Sequence, residues 1–293
     1  MEPDALHSDL LARLEAGWQG LPDKPDETPR STLRALWTYV SGLPEIPETL
    51  PALDDDAEAR LRRLVARRVS GEPLAYLVGH QSFLGLDLLS GPGAMIPRKE
   101  TEILARAALG VLEARVRQRG EATVIDLCTG SGNIALLLAR RVPQCRVWGG
   151  DISEAAVELA RQNARRLGLE GRAEFRAGDF LAPFETGEFL GRVDLVTCNP
   201  PYISTARVEK LAPEIAGYEP RAAFDGGPFG VGLLTRLVKE APRFLKEDGW
   251  VVCEVGLGQG APIARLFEKT PGYRGVEKFA DESGEVRALA AHL

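Results

Sequence analysis

The chain has 293 residues, enough for one large domain or two ordinary ones, and its 44% hydrophobic and 27% charged content is that of a globular protein. A net charge of −6 argues against a broad hold on nucleic acid, which rests on Lys and Arg against phosphate, while leaving room for a local basic groove. No apolar stretch reaches the ~20 residues that cross a bilayer, and Met1-Glu2-Pro3-Asp4 lacks a basic flank before an apolar run; no membrane span and no signal peptide are expected, and the expected location is cytoplasmic.

Residues 1–75 read as helical. Leu6, Leu10, Leu11 and Leu14 recur at helical spacing, as do Leu33, Leu36, Trp37 and Val40, with Ser31 a candidate cap for the second helix. A third helix, Asp56–Val69, opens on acids and closes on arginines, the polarity that the helix dipole favours. Its Arg60–Arg68 run is open to RNA contact, but Leu61, Leu64 and Val65 supply a buried stripe, so a solvated basic face is the better reading. Pro-rich connectors, Leu21–Pro29 and Pro44–Pro51, join a small bundle. His80–Ile96 changes character, with Gly85 at a plausible turn between short extended runs, and is read as a hairpin linking two domains. A helix over Thr101–Gln118 follows.

From Thr123 onward strands and helices alternate. The expected strands are Thr123–Cys128, Arg146–Gly149, Ala173–Arg176, Val193–Cys198 and Trp250–Val255; the expected helices are Asn133–Arg141, Glu154–Leu167, Gly232–Leu245 and Gln259–Lys269. Continuous apolar strands between amphipathic helices imply a parallel sheet covered on both faces, with Gly275–Phe279 and Val286–Ala290 as an antiparallel pair closing one edge. Cys128, Cys145, Cys198 and Cys253 have no C-x-x-C spacing and read as small buried residues. With three histidines in the chain, no metal site is expected. Trp148 and Trp250 follow strand spacing and read as core.

The run Asp126-Leu127-Cys128-Thr129-Gly130-Ser131-Gly132-Asn133 is strand, glycine turn and helix start. Glycines let a ligand approach the backbone, and the helix start offers free N–H groups. The dinucleotide spacing fails at Ala135, and no Gly-Lys-Ser/Thr follows. Asp126 would repel a pyrophosphate but suits a cationic ligand. Asp151, beside Ile152, ends the second strand and can take both hydroxyls of a ribose. Asp179, beside Phe180, ends the third and can accept from an adenine amino group, with Phe180 or Ile152 against the ring. Asp151 or Asp179 taken alone reads more often as a helix cap or turn residue. Together they describe S-adenosylmethionine, leaving S-adenosylhomocysteine as product.

Asn199-Pro200-Pro201-Tyr202 closes the fourth strand. Two prolines fix the backbone and carry no N–H, so the segment offers carbonyl acceptors. The Asn199 amide adds a carbonyl oxygen and Tyr202 a face for stacking. Such a slot suits a planar NH2 group, an amide or an exocyclic amine.

These motifs resemble the class I S-adenosylmethionine-dependent methyltransferases, and more specifically the protein-glutamine methyltransferases that modify peptide chain release factors. Gly71-Glu72-Pro73-Leu74-Ala75-Tyr76-Leu77-Val78-Gly79 resembles that family's segment after its N-terminal bundle. Ile96-Pro97-Arg98-Lys99-Glu100-Thr101-Glu102 resembles its Ile-Pro-Arg-x-x-Thr-Glu motif, and Glu219-Pro220-Arg221 with Phe224-Asp225-Gly226-Gly227 resembles its stretch after the catalytic loop. The likeness runs from about Gly71 to the C-terminus and fades over residues 1–70. Cys128 stands where the family usually has Gly. Related enzymes acting on a ribosomal protein often share the Asp-Leu-Cys-Thr-Gly-Ser-Gly run, whereas Arg98-x-x-Thr101-Glu102 fits the release-factor group.

The resemblance implies a Rossmann-like α/β fold: a seven-stranded class I methyltransferase sheet with helices on both faces, a small N-terminal helical bundle and a β-hairpin linker. The expected division is 1–78 for substrate docking, 79–97 for the hairpin and 98–293 for catalysis. Asp126, Thr129, Gly130, Ser131, Gly132, Asp151, Ile152, Asp179, Phe180 and Asn199 are expected to hold S-adenosylmethionine. Asn199, Pro200 and Tyr202 are the expected catalytic residues; together with Pro201 and Arg98 they are expected to bind substrate. Arg98, Glu219 and Arg221 are equally open to being ordinary surface ion pairs, Arg98 with Glu100 or Glu102. The expected partner is a release factor met by a monomer, with no stable nucleic acid and no membrane. The rival readings are a glutamine methyltransferase of a ribosomal protein, an adenine amino methyltransferase acting on a flipped-out base, and an inactive cofactor-binding scaffold.

Overall fold

The structure, a computed structural model, describes residues 3–21, 24–43, 47 and 49–293. Parts of the two expected connectors, residues 22–23, 44–46 and 48, lie outside the described residues. The chain forms two compact units: residues 1–80 with 212–218, and residues 81–211 with 219–293.

The first unit contains α1 (Pro3–Ala16), α2 (Pro29–Ser41), α3 (Asp55–Val69) and the short α4 (Leu74–Val78). The leucines at helical spacing meet as expected: Leu6, Leu10, Leu14, Leu33, Leu36, Trp37, Leu61, Leu64 and Val65 form one apolar core. Thr28, not Ser31, caps α2. Pro29 holds the residue before it extended, so Thr28 sits at the cap, while the Ser31 hydroxyl accepts from the Thr28 N–H at 2.8 Å to complete a capping box. The basic run is not all solvated. Arg68 is 6% exposed and its guanidinium binds Glu214 at 2.8 Å, which also takes Lys24 at 2.8 Å. Glu214 belongs to α9 (Pro213–Tyr218), a helix remote in sequence that completes this unit.

The second unit carries the sheet, in the order β5 (Ala173–Ala177), β4 (Cys145–Asp151), β3 (Ala122–Leu127), β6 (Val193–Cys198), β7 (Leu245–Glu254), β9 (Val286–His292), β8 (Gly275–Ala280). Neighbours from β5 to β7 run parallel, and β9 is antiparallel to both β7 and β8. Helices α5 (Thr101–Arg119), α6 (Asn133–Arg141), α7 (Glu154–Leu167), α10 (Gly232–Glu240) and α11 (Gly260–Lys269) contribute to two apolar clusters packed on the sheet. Two expected boundaries move by five residues. Helix α10 stops at Glu240, because Pro242 tightens the chain into a single turn of 3-10 helix. Strand β7 starts at Leu245, where an irregularity in the ladder lets it pair with Val193 before Leu195 meets Trp250.

The hairpin, β1 (His80–Phe83) and β2 (Leu86–Leu89), buries Phe83, Leu86 and Leu88 in one of those clusters. Asn163 of α7 is fully buried and binds both the N–H and the C=O of Leu89, at 2.6 and 3.3 Å; its amide also donates to Ser131 O at 3.0 Å. One side chain thus fixes the hairpin to the glycine turn. The strand order reverses between β4 and β6, on either side of β3, so a crevice opens at the carboxyl ends of these strands.

Candidate active site

The glycine turn follows β3. Gly130 and Gly132 are left-handed, and a Cβ on Gly132 would lie 3.1 Å from Ala160 Cβ. Cys128 is also left-handed, with φ +55°, a conformation that glycine adopts at less cost. Phe180, φ +52°, repeats this just beyond β5, and both strained residues line the crevice.

The crevice is a cavity of about 330 Å3, within the range of small-molecule sites. Its walls include Thr129, Gly130, Ser131, Asp151, Ile152, Asp179, Phe180, Asn199 and Pro201, all expected from the sequence. Ile152 is 70% exposed there, a large apolar surface facing open space. Asp151 accepts from the Gly130 and Ser153 N–H groups, both at 2.9 Å, and burial raises its pKa. Two accepted bonds leave a carboxylate with further lone pairs for hydroxyl donors. Ser131 is 2% exposed, and its hydroxyl has no partner among the described residues. An acid, an apolar platform and an orphaned hydroxyl around one cavity fit a nucleoside joined to a polar tail, as in S-adenosylmethionine.

Several expected residues are engaged within the protein or lie off the wall. Asp126 is fully buried and absent from the cavity wall; its oxygens take the Thr129 and Thr197 hydroxyls, both at 2.6 Å. Burial pushes its pKa to about 6, so it braces the loop from inside and does not face a ligand cation. Gly132 is likewise off the wall. Asp179 is exposed and bound by Arg236 at 3.0 Å, whose guanidinium also lies over the Phe180 ring. Arg98 is not in a surface bridge. It is buried against Glu219, whose second oxygen accepts from the Ile96 N–H at 2.8 Å. Arg221, by contrast, is an exposed partner of Asp225.

The slot residues are held from behind. The Asn199 Nδ2 donates to Thr101 Oγ1 at 3.1 Å, which leaves Oδ1 as the acceptor. The Tyr202 hydroxyl donates to Glu254 Oε1 at 3.0 Å, and its carbonyl accepts from the Gln259 amide at 2.9 Å. Burial, followed by the Glu254 charge, drives the Tyr202 pKa well above its ordinary value. Pro200 and Tyr202 do not line the cavity, whereas Pro201 does. Thr101, Gln259 and Glu254 escape the sequence reading as site residues. Thr101 stands in the Ile-Pro-Arg-x-x-Thr-Glu motif, and Glu254 closes an apolar strand as Asp151 does; Gln259 carries no local signal. The four cysteines are free; Cys145, Cys198 and Cys253 are buried, and Cys128 is half-buried at the cavity. Trp148 is core, as read. Among the described residues no cluster could hold a metal ion, and no helix is long and apolar enough to cross a membrane.

Comparison with known proteins bears on this geometry. Residues 118–255 match the family model of a methyltransferase domain, and residues 19–79 match that of the PrmC N-terminal domain. The chain is 36% identical to a release factor glutamine methyltransferase of Moorella thermoacetica, covering 91% of this chain and 92% of that protein. It is 36% identical to one of Streptomyces coelicolor, covering 96% and 97%, and 40% identical to one of Geobacter sulfurreducens, covering 74% and 72%. Among solved structures, the N-terminal domain of human METTL16 in complex with SAH aligns with a TM-score of 0.52 at 16% identity, over 93% of this chain and 98% of that one, a likeness of fold. At this identity and coverage, the chain belongs to the release factor glutamine methyltransferase family.

Proposed function

We propose that the chain transfers a methyl group from S-adenosylmethionine to the side-chain amide nitrogen of a glutamine in a peptide chain release factor, the Gln of a Gly-Gly-Gln tripeptide. Within that reading the first unit docks the substrate protein and the crevice of the second does the chemistry. Asp151 takes the ribose, Ile152 and Phe180 cover the adenine, and Ser131 with the glycine turn faces the polar tail. Asp179 reaches the adenine amino group once released by Arg236. Arg98, buried against Glu219, shapes the wall beneath the entrance and does not itself touch substrate.

The observation that carries the reading is the Asn199 amide, whose nitrogen is spent on Thr101. Its carbonyl oxygen and the Pro200 carbonyl are two acceptors for the two N–H bonds of a substrate amide. S-adenosylmethionine supplies an electrophilic methyl group, so no metal and no covalent intermediate is required. The obstacle is the amide nitrogen, whose lone pair is delocalised into its own carbonyl. Accepting both N–H bonds makes that nitrogen more electron-rich and points it along the reaction axis, and positioning of this kind is worth several orders of magnitude in rate. The proton leaves after transfer, when the nitrogen is more acidic.

The test is incubation of the protein with isotopically labelled cofactor and a purified release factor. Mass spectrometry is expected to find one added methyl on the glutamine of the Gly-Gly-Gln tripeptide. Label in a ribosomal protein or in DNA, with the release factor unmodified, would overturn the assignment.

A further inference from the structure

Gln259 stands at the N-cap of α11, yet its side chain makes no cap bond to that helix. A short Ser, Thr, Asp or Asn is the usual choice there. The longer amide is spent on three other stretches of backbone. Its Oε1 accepts from the Gly256 N–H at 2.9 Å, and its Nε2 donates to the Tyr202 carbonyl at 2.9 Å and to the Gly230 carbonyl at 3.3 Å. The bond to Oε1 fixes which end of the amide is the donor, and both amide protons are then used. Further backbone closes on the same place. A Cβ at Gly226 would lie 2.4 Å from the Pro201 carbonyl oxygen, and one at Gly230 would lie 2.1 Å from that of Tyr202. The Gly226 N–H also donates to Ile203 O at 2.8 Å. Residues 226–230 therefore cradle the Pro201–Tyr202 stretch, and one side chain ties that cradle, the stretch and the turn after β7 together.

We propose that Gln259 is a positioning residue for amide methylation: by holding the Tyr202 carbonyl it fixes the far end of the slot backbone, and with it the aim of the Pro200 carbonyl. The proposal rests on the reading of that carbonyl as an acceptor of a substrate N–H. The paired residues of β6 end at Cys198, which anchors the near end. Pro200 and Pro201 have no N–H with which to anchor the middle, and their rings fix φ. What remains soft between the two ends is a few ψ torsions. With Tyr202 held, those torsions have little room; with Tyr202 released, the Pro200 carbonyl swings off its N–H partner and the substrate nitrogen loses its alignment. Gln259 is absent from the cavity wall, so its effect falls on the slot and not on the cofactor.

The experiment measures kcat for release-factor methylation, Kd for S-adenosylmethionine and the urea midpoint across pH, in wild type, Gln259→Met, Gln259→Glu and Gly230→Ala. Gln259→Met fills similar space without the three bonds. It is expected to lower kcat about tenfold, the scale of one misdirected hydrogen bond, with cofactor Kd within about twofold. Gly230→Ala leaves Gln259 intact but drives a methyl group against the Tyr202 carbonyl, and is expected to do the same. Gln259→Glu keeps an acceptor for the Gly256 N–H and, while ionised, has no donor for the Tyr202 carbonyl. Its kcat relative to wild type is expected to recover as pH falls and the carboxyl gains a proton to donate. A side chain that only stabilised the fold would lower the urea midpoint and leave the kcat of folded protein unchanged. Wild-type turnover by folded Gln259→Met, a ratio for Gln259→Glu that stays flat with pH, or a fall explained by cofactor affinity would overturn the proposal. If neither Gln259 variant folds, Gly230→Ala decides: wild-type turnover there sinks it. Asn199→Ala separates the two levels of the claim. Full turnover there removes the slot itself, whereas a dead Asn199→Ala beside a fully active Gln259→Met removes only the positioning role.

Discussion

At the end of β4, Asp151 keeps its carboxylate at the cavity wall, and Asp179 at the end of β5 is mostly exposed. At the end of β7, Glu254 turns inward and takes the Tyr202 hydroxyl; Asp126 on β3 likewise takes the Thr129 and Thr197 hydroxyls. The first arrangement suits a ligand that arrives with hydroxyl and amino donors. The second suits one that must be gripped by acceptors whose orientation cannot drift. Under the proposed function, Asp151 on the cofactor side acts on affinity, whereas Asn199 on the amide side acts on the rate of transfer. Substitutions that move only one quantity break or sharpen this contrast.

The largest effect is expected at the slot. Asn199→Ala should lower the rate of transfer roughly a hundredfold to a thousandfold, the cost of losing one preorganised hydrogen-bonding group at a reacting centre. Cofactor affinity, measured by calorimetry, should change only a few-fold. Comparable losses in both would erase the division between the two sides.

The next concerns stability. Folding raises the Glu254 pKa from 4.5 to about 7, so the folded state holds this proton more tightly than the unfolded chain does. That stabilisation is fully present below about pH 4.5 and is lost as pH rises through about 7, to a total of about 3 kcal/mol. Glu254→Gln does not titrate there. Urea unfolding at about pH 5 and pH 8 should show wild type losing stability relative to the variant; parallel behaviour would mean that the carboxylate is not desolvated as described. Asp126 shifts with the same sign, is present in both proteins and cancels.

On the cofactor side, Asp151→Asn should weaken S-adenosylmethionine binding about tenfold to a hundredfold, as expected for hydrogen bonds to a charged acceptor. Its kcat at saturating cofactor should stay within a few-fold, the reverse of the slot variant. Smallest is Asp179→Ala. Its carboxylate is 62% exposed and paired with Arg236, so the change in cofactor Kd should not exceed about fivefold.

What the chain reveals before folding follows the same divide. Apolar strands closed by acids, the glycine turn and the proline pair are local patterns, and they place the crevice and most of its wall. Acids spent inside the protein are less legible, because their partners are distant in sequence. Tyr202 and Glu254 are 52 residues apart. Arg68 looks like part of a solvated run until Glu214, 146 residues on, buries it. Asp126 matches the pattern of a ligand-facing acid, and only the two threonine hydroxyls within reach show that it is a brace. The cap of α2 was readable from Pro29, which fixes the position of Thr28.

Methyl transfer as proposed requires a substrate amide seated between the Asn199 and Pro200 carbonyl oxygens. A crystal structure with S-adenosylhomocysteine and a Gly-Gly-Gln peptide measures this directly. Both amide N–H groups are expected at about 2.7–3.2 Å from those two oxygens, with the nitrogen facing the sulfur. An amide bound through its own carbonyl, or an Asn199 side chain turned so that Nδ2 faces the peptide, would contradict it.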